Sequence, residues 1–144
     1  MDKPKFHELV NMVEQVHNGS IIRFTERFNK KVGISLIIVL SEIRKLGSCQ
    51  ASELAKALGY SKSSMSAIMK KLFAARYIEQ KMDLHDRRKN VIIITDEGNA
   101  ILDEAEVIGQ EYYETMYSVL TEDELMQYIE IQKKLLNQVQ SFKK

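Results

Sequence analysis

The residues best suited to chemistry in this chain lie between Ser61 and Lys71. Met65, Ile68, Met69 and Leu72 recur at helical spacing and mark one side of a helix. Ser61 stands where the N-cap of that helix belongs. The other side carries Lys62, Ser63, Ser66, Ala67 and Lys70, with Ser64 beside them and Lys71 at the edge. It has no carboxylate and no large apolar side chain. Short side chains let a helix come close to a groove, hydroxyls bond phosphates or base edges, and lysines neutralise phosphate. A helix that reads a DNA major groove needs this set, although a plain solvated face of a helical protein also accommodates it. A second basic cluster, Arg87-Arg88-Lys89 with Asp86 beside it, follows inside the run DLHDRRKN. An arginine at a hairpin tip fits a narrow minor groove, where negative potential concentrates. The alternative is a solvated charged turn.

The surrounding pattern supplies elements to hold both clusters. Residues 51–76 read as two helices with a sharp turn between them. Leu54, Ala55 and Leu58 form the apolar stripe of the first, and Gly59 ends it. Tyr77–Lys81 and Val91–Ile94 read as short strands, and the charged run between them makes a β-hairpin. A hairpin directly after a helix-turn-helix is a wing. Upstream, residues 5–31 read as one long helix that Asn18-Gly19-Ser20 is expected to kink or split. A helix over 34–46 follows, with Ser35 as its cap. Gln50 is a poor N-cap for the next helix, so either Ser48 or Ser52 caps it or its start is weak. Downstream, Thr95 caps a helix reaching about Val119, and Gly98 lets its first turn approach a neighbour closely. Thr121-Glu122-Asp123-Glu124 is a capping box for a last helix. The expected fold is mainly α with a small β-hairpin wing. A winged helix-turn-helix domain is expected over 33–95, and a helical dimerisation region over 1–32 and 96–144.

Composition narrows the function classes. The 144 residues are 44% hydrophobic, enough for a real core, and contain one proline and six glycines, which favours long helices. Gly33–Thr95 holds 11 Lys+Arg against 5 Asp+Glu, whereas 96–144 holds 4 against 11. A basic middle and an acidic C-terminal third suit a polyanion bound at the middle. Cys49 is the single cysteine, which excludes an internal disulfide and suits a reducing cytoplasm. No secretory leader is expected, because Lys3, Pro4, Lys5, His7 and Glu8 interrupt the start, and no apolar run is long enough to span a membrane. The three histidines are scattered, so no metal site or cofactor is expected. No motif places a nucleophile beside a base or pairs two carboxylates, and no glycine-rich nucleotide loop occurs. An enzyme built on an N-terminal winged helix would need a further domain, for which the chain is expected to be too short.

The whole pattern resembles the MarR family of bacterial transcription regulators. Ser52-Glu53-Leu54-Ala55-x-x-Leu58 is similar to that family's helix opening, and Ser61–Leu72 followed by Ile78 to its recognition helix and next strand. Asp83-x-His85-Asp86-Arg87-Arg88, then Thr95-x-x-Gly98, resembles its wing and the start of its fifth helix. The resemblance implies a cytoplasmic homodimer on a palindromic operator in double-stranded DNA. It implies a wing arginine, here Arg88 positioned by Asp86, in the minor groove. It also implies repression relieved by a small phenolic or lipophilic effector. His17, Arg23, Phe24, Tyr112 and Tyr113 are the residues to watch for that effector, with ordinary packing as their alternative role. The chain departs from the family at Gln50, where threonine is usual. It departs again at His85, where a basic residue is frequent, leaving that wing contact open or pH-dependent. A winged helix that binds proteins rather than DNA is the rival reading.

Overall fold

In the computed structural model, residues 2–28 and 32–142 are described. Eight elements follow one another: α1 (Lys3–Phe28), α2 (Ile34–Leu46), α3 (Ala51–Leu58), α4 (Lys62–Ala74), β1 (Ile78–Met82), β2 (Asn90–Ile94), α5 (Asp96–Tyr117) and α6 (Glu122–Ser141). Two compact units contain them, Met1–Ile108 and Gly109–Lys144. No helix among the described residues is long and apolar enough to cross a membrane.

The core of the first unit forms where the apolar stripes of the short helices meet the hairpin. Val39, Leu40 and Ile43 of α2, Leu54 of α3, and Met65, Met69 and Leu72 of α4 are buried there, with Ile78 and Ile92 from the two strands. Leu102 and Ala105 of α5 join them. Burying each such side chain is worth about 1.5–3 kcal/mol, so this shared core fixes the orientation of the helix-turn-helix. The strands pair antiparallel from Ile78↔Ile94 to Met82↔Asn90. Cys49 adds one more rung to the sheet: its N–H donates to Ile92 O at 3.1 Å and its carbonyl accepts from Ile92 N at 2.7 Å. It therefore anchors the segment before α3 to β2.

Several local expectations change. The helix α1 runs unbroken through Asn18-Gly19-Ser20, with Ser20 Oγ donating to Val16 O at 2.7 Å. A lone glycine lowers helix propensity by only about 1 kcal/mol, and apolar residues on either side maintain the period. Residues 29–31 lie outside the described residues. The helix α2 spans the expected 34–46, but its N-cap is Gly33 rather than Ser35, which falls inside the first turn. Gln50 does cap α3: Glu53 Oε1 accepts from its N–H at 3.1 Å, so neither Ser48 nor Ser52 takes the position. The strand β1 begins at Ile78, with Tyr77 in the turn before it. Thr121 and Glu124 form the expected capping box, Thr121 N donating to Glu124 Oε1 at 2.9 Å and Glu124 N to Thr121 Oγ1 at 3.2 Å.

Candidate nucleic-acid interface

The turn that aims α4 is made by local backbone chemistry. Gly59 closes α3 in the left-handed region, at φ 71°, where a side chain would be strained. Two residues later Ser61 opens α4, its Oγ accepting from Ser64 N at 3.1 Å. The hydroxyls of Ser63 and Ser64 lie 3.2 and 2.9 Å from the same oxygen, so the first turn presents a cluster of three serines. Met65, Met69 and Leu72 anchor the inner face, and Ile68 is half-buried beside them. Lys62, Ser63, Ser64, Ser66, Ala67, Lys70 and Lys71 are all exposed. None of the three lysines forms an ion pair among the described residues. Their charge is thus available to an external anion.

The wing tip is closed by backbone bonds from Asp83 N to Lys89 O and from Lys89 N to Asp86 O, each 3.0 Å. Asp86 organises what lies between: its Oδ1 accepts from Arg88 N at 3.1 Å and from Arg88 Nε at 3.2 Å. These bonds, backbone first and guanidinium second, hold the Asp86 carboxyl below its ordinary range. The Arg88 side chain is still 91% exposed. It is therefore oriented at its Nε end while the rest of its fork faces solvent, an arrangement suited to donation into a groove. Arg87 and Lys89 are exposed as well. Leu84, passed over in the sequence, stands 95% exposed at the same tip. Its signal was a lone apolar residue within a charged run.

One joint ties α4, the wing and α5 together. Thr95 Oγ1 donates to Arg76 O at 2.7 Å and accepts from Gly98 N at 3.0 Å, while Thr95 N donates to Tyr77 O at 3.0 Å. Arg76 takes φ 63°, the left-handed conformation, so that the chain reverses from α4 into β1. Behind this joint Arg44 of α2 reaches α5, with Asp103 Oδ1 at 2.6 Å, Glu106 Oε1 at 2.8 Å and Asn99 Oδ1 at 3.3 Å. Hydrogen bonding to Asp103 is the main cause that raises the Arg44 guanidinium above its usual range.

The five residues named for an effector divide between the units. In the first, His17 is exposed, Arg23 pairs with Glu26 at 3.0 Å, and Phe24 stacks on Phe28 with ring centres 5.4 Å apart. In the second, Tyr112 and Tyr113 meet edge to face at 5.6 Å, and Tyr113 stacks on Tyr117. A groove of about 560 Å³, not foreseen in the sequence, lies within the first unit between α3, α4 and the sheet. Met65, Met69, Phe73 and Ile92 form its apolar lining, with Lys62 and Ser66 among its polar residues.

A recognition helix set against a hairpin, with cations exposed on both, defines the winged helix-turn-helix class. The sequence model of the MarR family matches residues 37–89. Wild-type MarR from E. coli in its apo form has the same fold, with a TM-score of 0.74 at 22% identity over 90% of this chain and 95% of that one. A cysteine-to-serine variant of that protein complexed with operator DNA gives 0.71 at 22% identity, covering 92% and 94%. BpsR from Bordetella bronchiseptica, whose DNA binding is described as regulated by 6-hydroxynicotinic acid, gives 0.71 at 18% identity, covering 87% and 90%. No curated protein matches the chain in sequence. Residues 37–89 are thus similar in sequence to the MarR family, and the chain has the fold of the MarR structures.

Proposed function

We propose that this protein is a homodimeric repressor of transcription that binds a palindromic operator and leaves it when a small phenolic or lipophilic effector binds. The observation that carries the DNA reading is the exposed face of α4, from Ser61 to Lys71, together with the Asp86-oriented Arg88 at the wing tip. In this reading Lys62, Lys70 and Lys71 neutralise phosphates. Ser63, Ser64, Ser66 and Ala67 let the helix approach base edges, and Arg88 enters the minor groove between Arg87 and Lys89. The match to a relative complexed with operator DNA supports it.

Dimerisation is supported by apolar side chains left in solvent. Phe6, Leu9, Val13 and Val16 of α1 are exposed, as are Ile129, Leu136 and Val139 of α6 and Phe142 at its C-cap. Exposed apolar faces of this kind mark interfaces, and a second copy would place two recognition helices about one duplex turn, roughly 34 Å, apart. Regulation of BpsR by 6-hydroxynicotinic acid supports an effector of similar chemistry. Within the first unit, the groove beside α4 is the place where such a molecule would reach the recognition helix: Met65, Met69 and Phe73 would take its ring and Lys62 its acidic group. With DNA as partner, the protein works in the cytoplasm.

The test is a gel shift on the DNA upstream of its own gene against a random duplex, at several salt concentrations. Preference for the upstream fragment is expected, with log affinity falling against log salt by about 0.9 for each phosphate neutralised. Arg88→Ala should weaken operator binding by about 1–3 kcal/mol, the scale of a specific groove contact. A light-scattering dimer that shifts neither DNA would favour a protein-binding winged helix instead.

A further inference from the structure

The wing tip contains one histidine. His85 is exposed between β1 and β2, and its backbone N–H donates to Asp83 Oδ1 at 2.9 Å. No hydrogen bond or ion pair engages its ring among the described residues. The neighbouring carboxylates are already committed, Asp83 to this amide and Asp86 to Arg88. The remaining charges of the tip are Arg87, Arg88 and Lys89, and those of the strand leading to it are Glu79 and Lys81, which lie 3.9 Å apart. The helices packed on the hairpin contribute Glu42, Arg44 and Lys45 from α2 and Lys62, Lys70 and Lys71 from α4, with Arg44 held by Asp103 and Glu106. The imidazole therefore stands in a mixed field without a dedicated counter-ion.

DNA would change that field. Leu84 to Arg88 form a short loop closed by the 3.0 Å bond from Asp83 N to Lys89 O. A minor groove is about 6 Å wide and walled by phosphates on both sides. An arginine placed in it from a loop this small brings the rest of the loop against a phosphate wall. We propose that His85 is a phosphate contact that is made only when its ring is protonated, so that DNA binding takes up a proton and strengthens as pH falls. This rests on the DNA-binding reading above. Histidine is the ordinary side chain that changes charge between pH 5 and 8, and a nearby anion favours its charged form. By linkage, the extra affinity is full where the free protein already carries the proton, and is lost as pH rises to where the complex gives it up. An arginine at this position would make the contact at every pH; histidine makes it conditional.

The experiment is fluorescence anisotropy with labelled upstream duplex and random duplex, from pH 5.5 to 8.5 at constant ionic strength. Wild type should lose affinity across that range by roughly tenfold for each wing engaged, the equivalent of one pH unit of linkage per contact. His85→Gln should stay near the weak, high-pH level throughout, and His85→Arg near the strong, low-pH level. Both variants lie in an exposed loop, and both should keep the dimer and the helical circular dichroism of wild type. A wild-type profile that is flat, or one that His85→Gln reproduces, overturns the proposal; in the latter case the proton is taken up elsewhere, as at His7 or His17. Absence of binding by wild type even at low salt would overturn the DNA reading itself, and this proposal with it.

Discussion

Gly98→Ala tests whether the joint between the end of α4 and α5 is as tight as the structure makes it. A Cβ at Gly98 would overlap the carbonyl oxygen of Tyr77 and come within 2.7 Å of Ile94 Cγ1 and 3.0 Å of the Tyr77 carbonyl carbon. The obstacle is backbone, not the end of a flexible side chain, and the Tyr77 oxygen is already held by Thr95 N at 3.0 Å. Overpacking of this kind costs about 1–3 kcal/mol. Moving Tyr77 away also stretches a hydrogen bond worth about 1 kcal/mol net. The expected loss is therefore roughly 2–4 kcal/mol, a large share of the 5–15 kcal/mol that holds a typical domain together. Gly19→Ala is the matched control, because nothing lies within 4 Å of a Cβ there. In the middle of α1 that change should stabilise by about 0.5–1 kcal/mol, through helix propensity. Urea unfolding of the three proteins, at one protein concentration because the proposed dimer would make stability depend on it, gives both numbers. The steric reasoning is refuted by a Gly98→Ala protein within 0.5 kcal/mol of wild type, about the scatter of neutral substitutions.

Three further outcomes follow from other parts of the molecule. Arg44→Met should cost about 1 kcal/mol, because its bonds to Asp103 and Glu106 are partly exposed and screened; the loss, read by urea unfolding, should shrink in high salt, and a loss that grows with salt would contradict an ionic role. Burial pushes the Cys49 thiol up to about 11, with Glu53 and Glu42 adding to the shift. Little thiolate is then present below that pH, so a thiol reagent at pH 8 should label the protein only after denaturant is added; rapid labelling of the native protein would show the thiol to be accessible. Lys70→Ala should weaken operator and random DNA alike and lower the salt slope by about 0.9, the signature of one lost phosphate contact, whereas a loss confined to the operator would make Lys70 a base-reading residue.

How far the sequence went depends on the range over which each decision is made. The helices were legible because amphipathic period and capping are local: Leu54, Ala55 and Leu58 announce α3, and Thr121 with Glu124 announces α6. The cations of α4 and of the wing were legible because their types and spacing are fixed in the chain. Starts and interruptions were less so. Gln50 capped against its rank because Glu53 reached back to its amide, and Gly19 passed unnoticed through α1 because one glycine does not outweigh a long apolar period. For the roles of Lys62, Ser66 or Arg88 on DNA, sequence and structure together give position and exposure, and binding experiments give the contact.

The sequence by itself determined the order of elements, the basic middle and the residues that could meet a polyanion, since all of these follow from residue type and spacing. Only the tertiary structure decided what lies far apart in the chain and close in space. It paired Cys49 with Ile92 as an isolated bridge on the free edge of β2, set Arg44 against Asp103 and Glu106, and pressed Gly98 onto the carbonyl of Tyr77. It also turned the charged run after β1 into a loop in which Asp86 holds Arg88 and leaves the ring of His85 to solvent. Such pairings depend on how buried faces pack, and no local pattern encodes them.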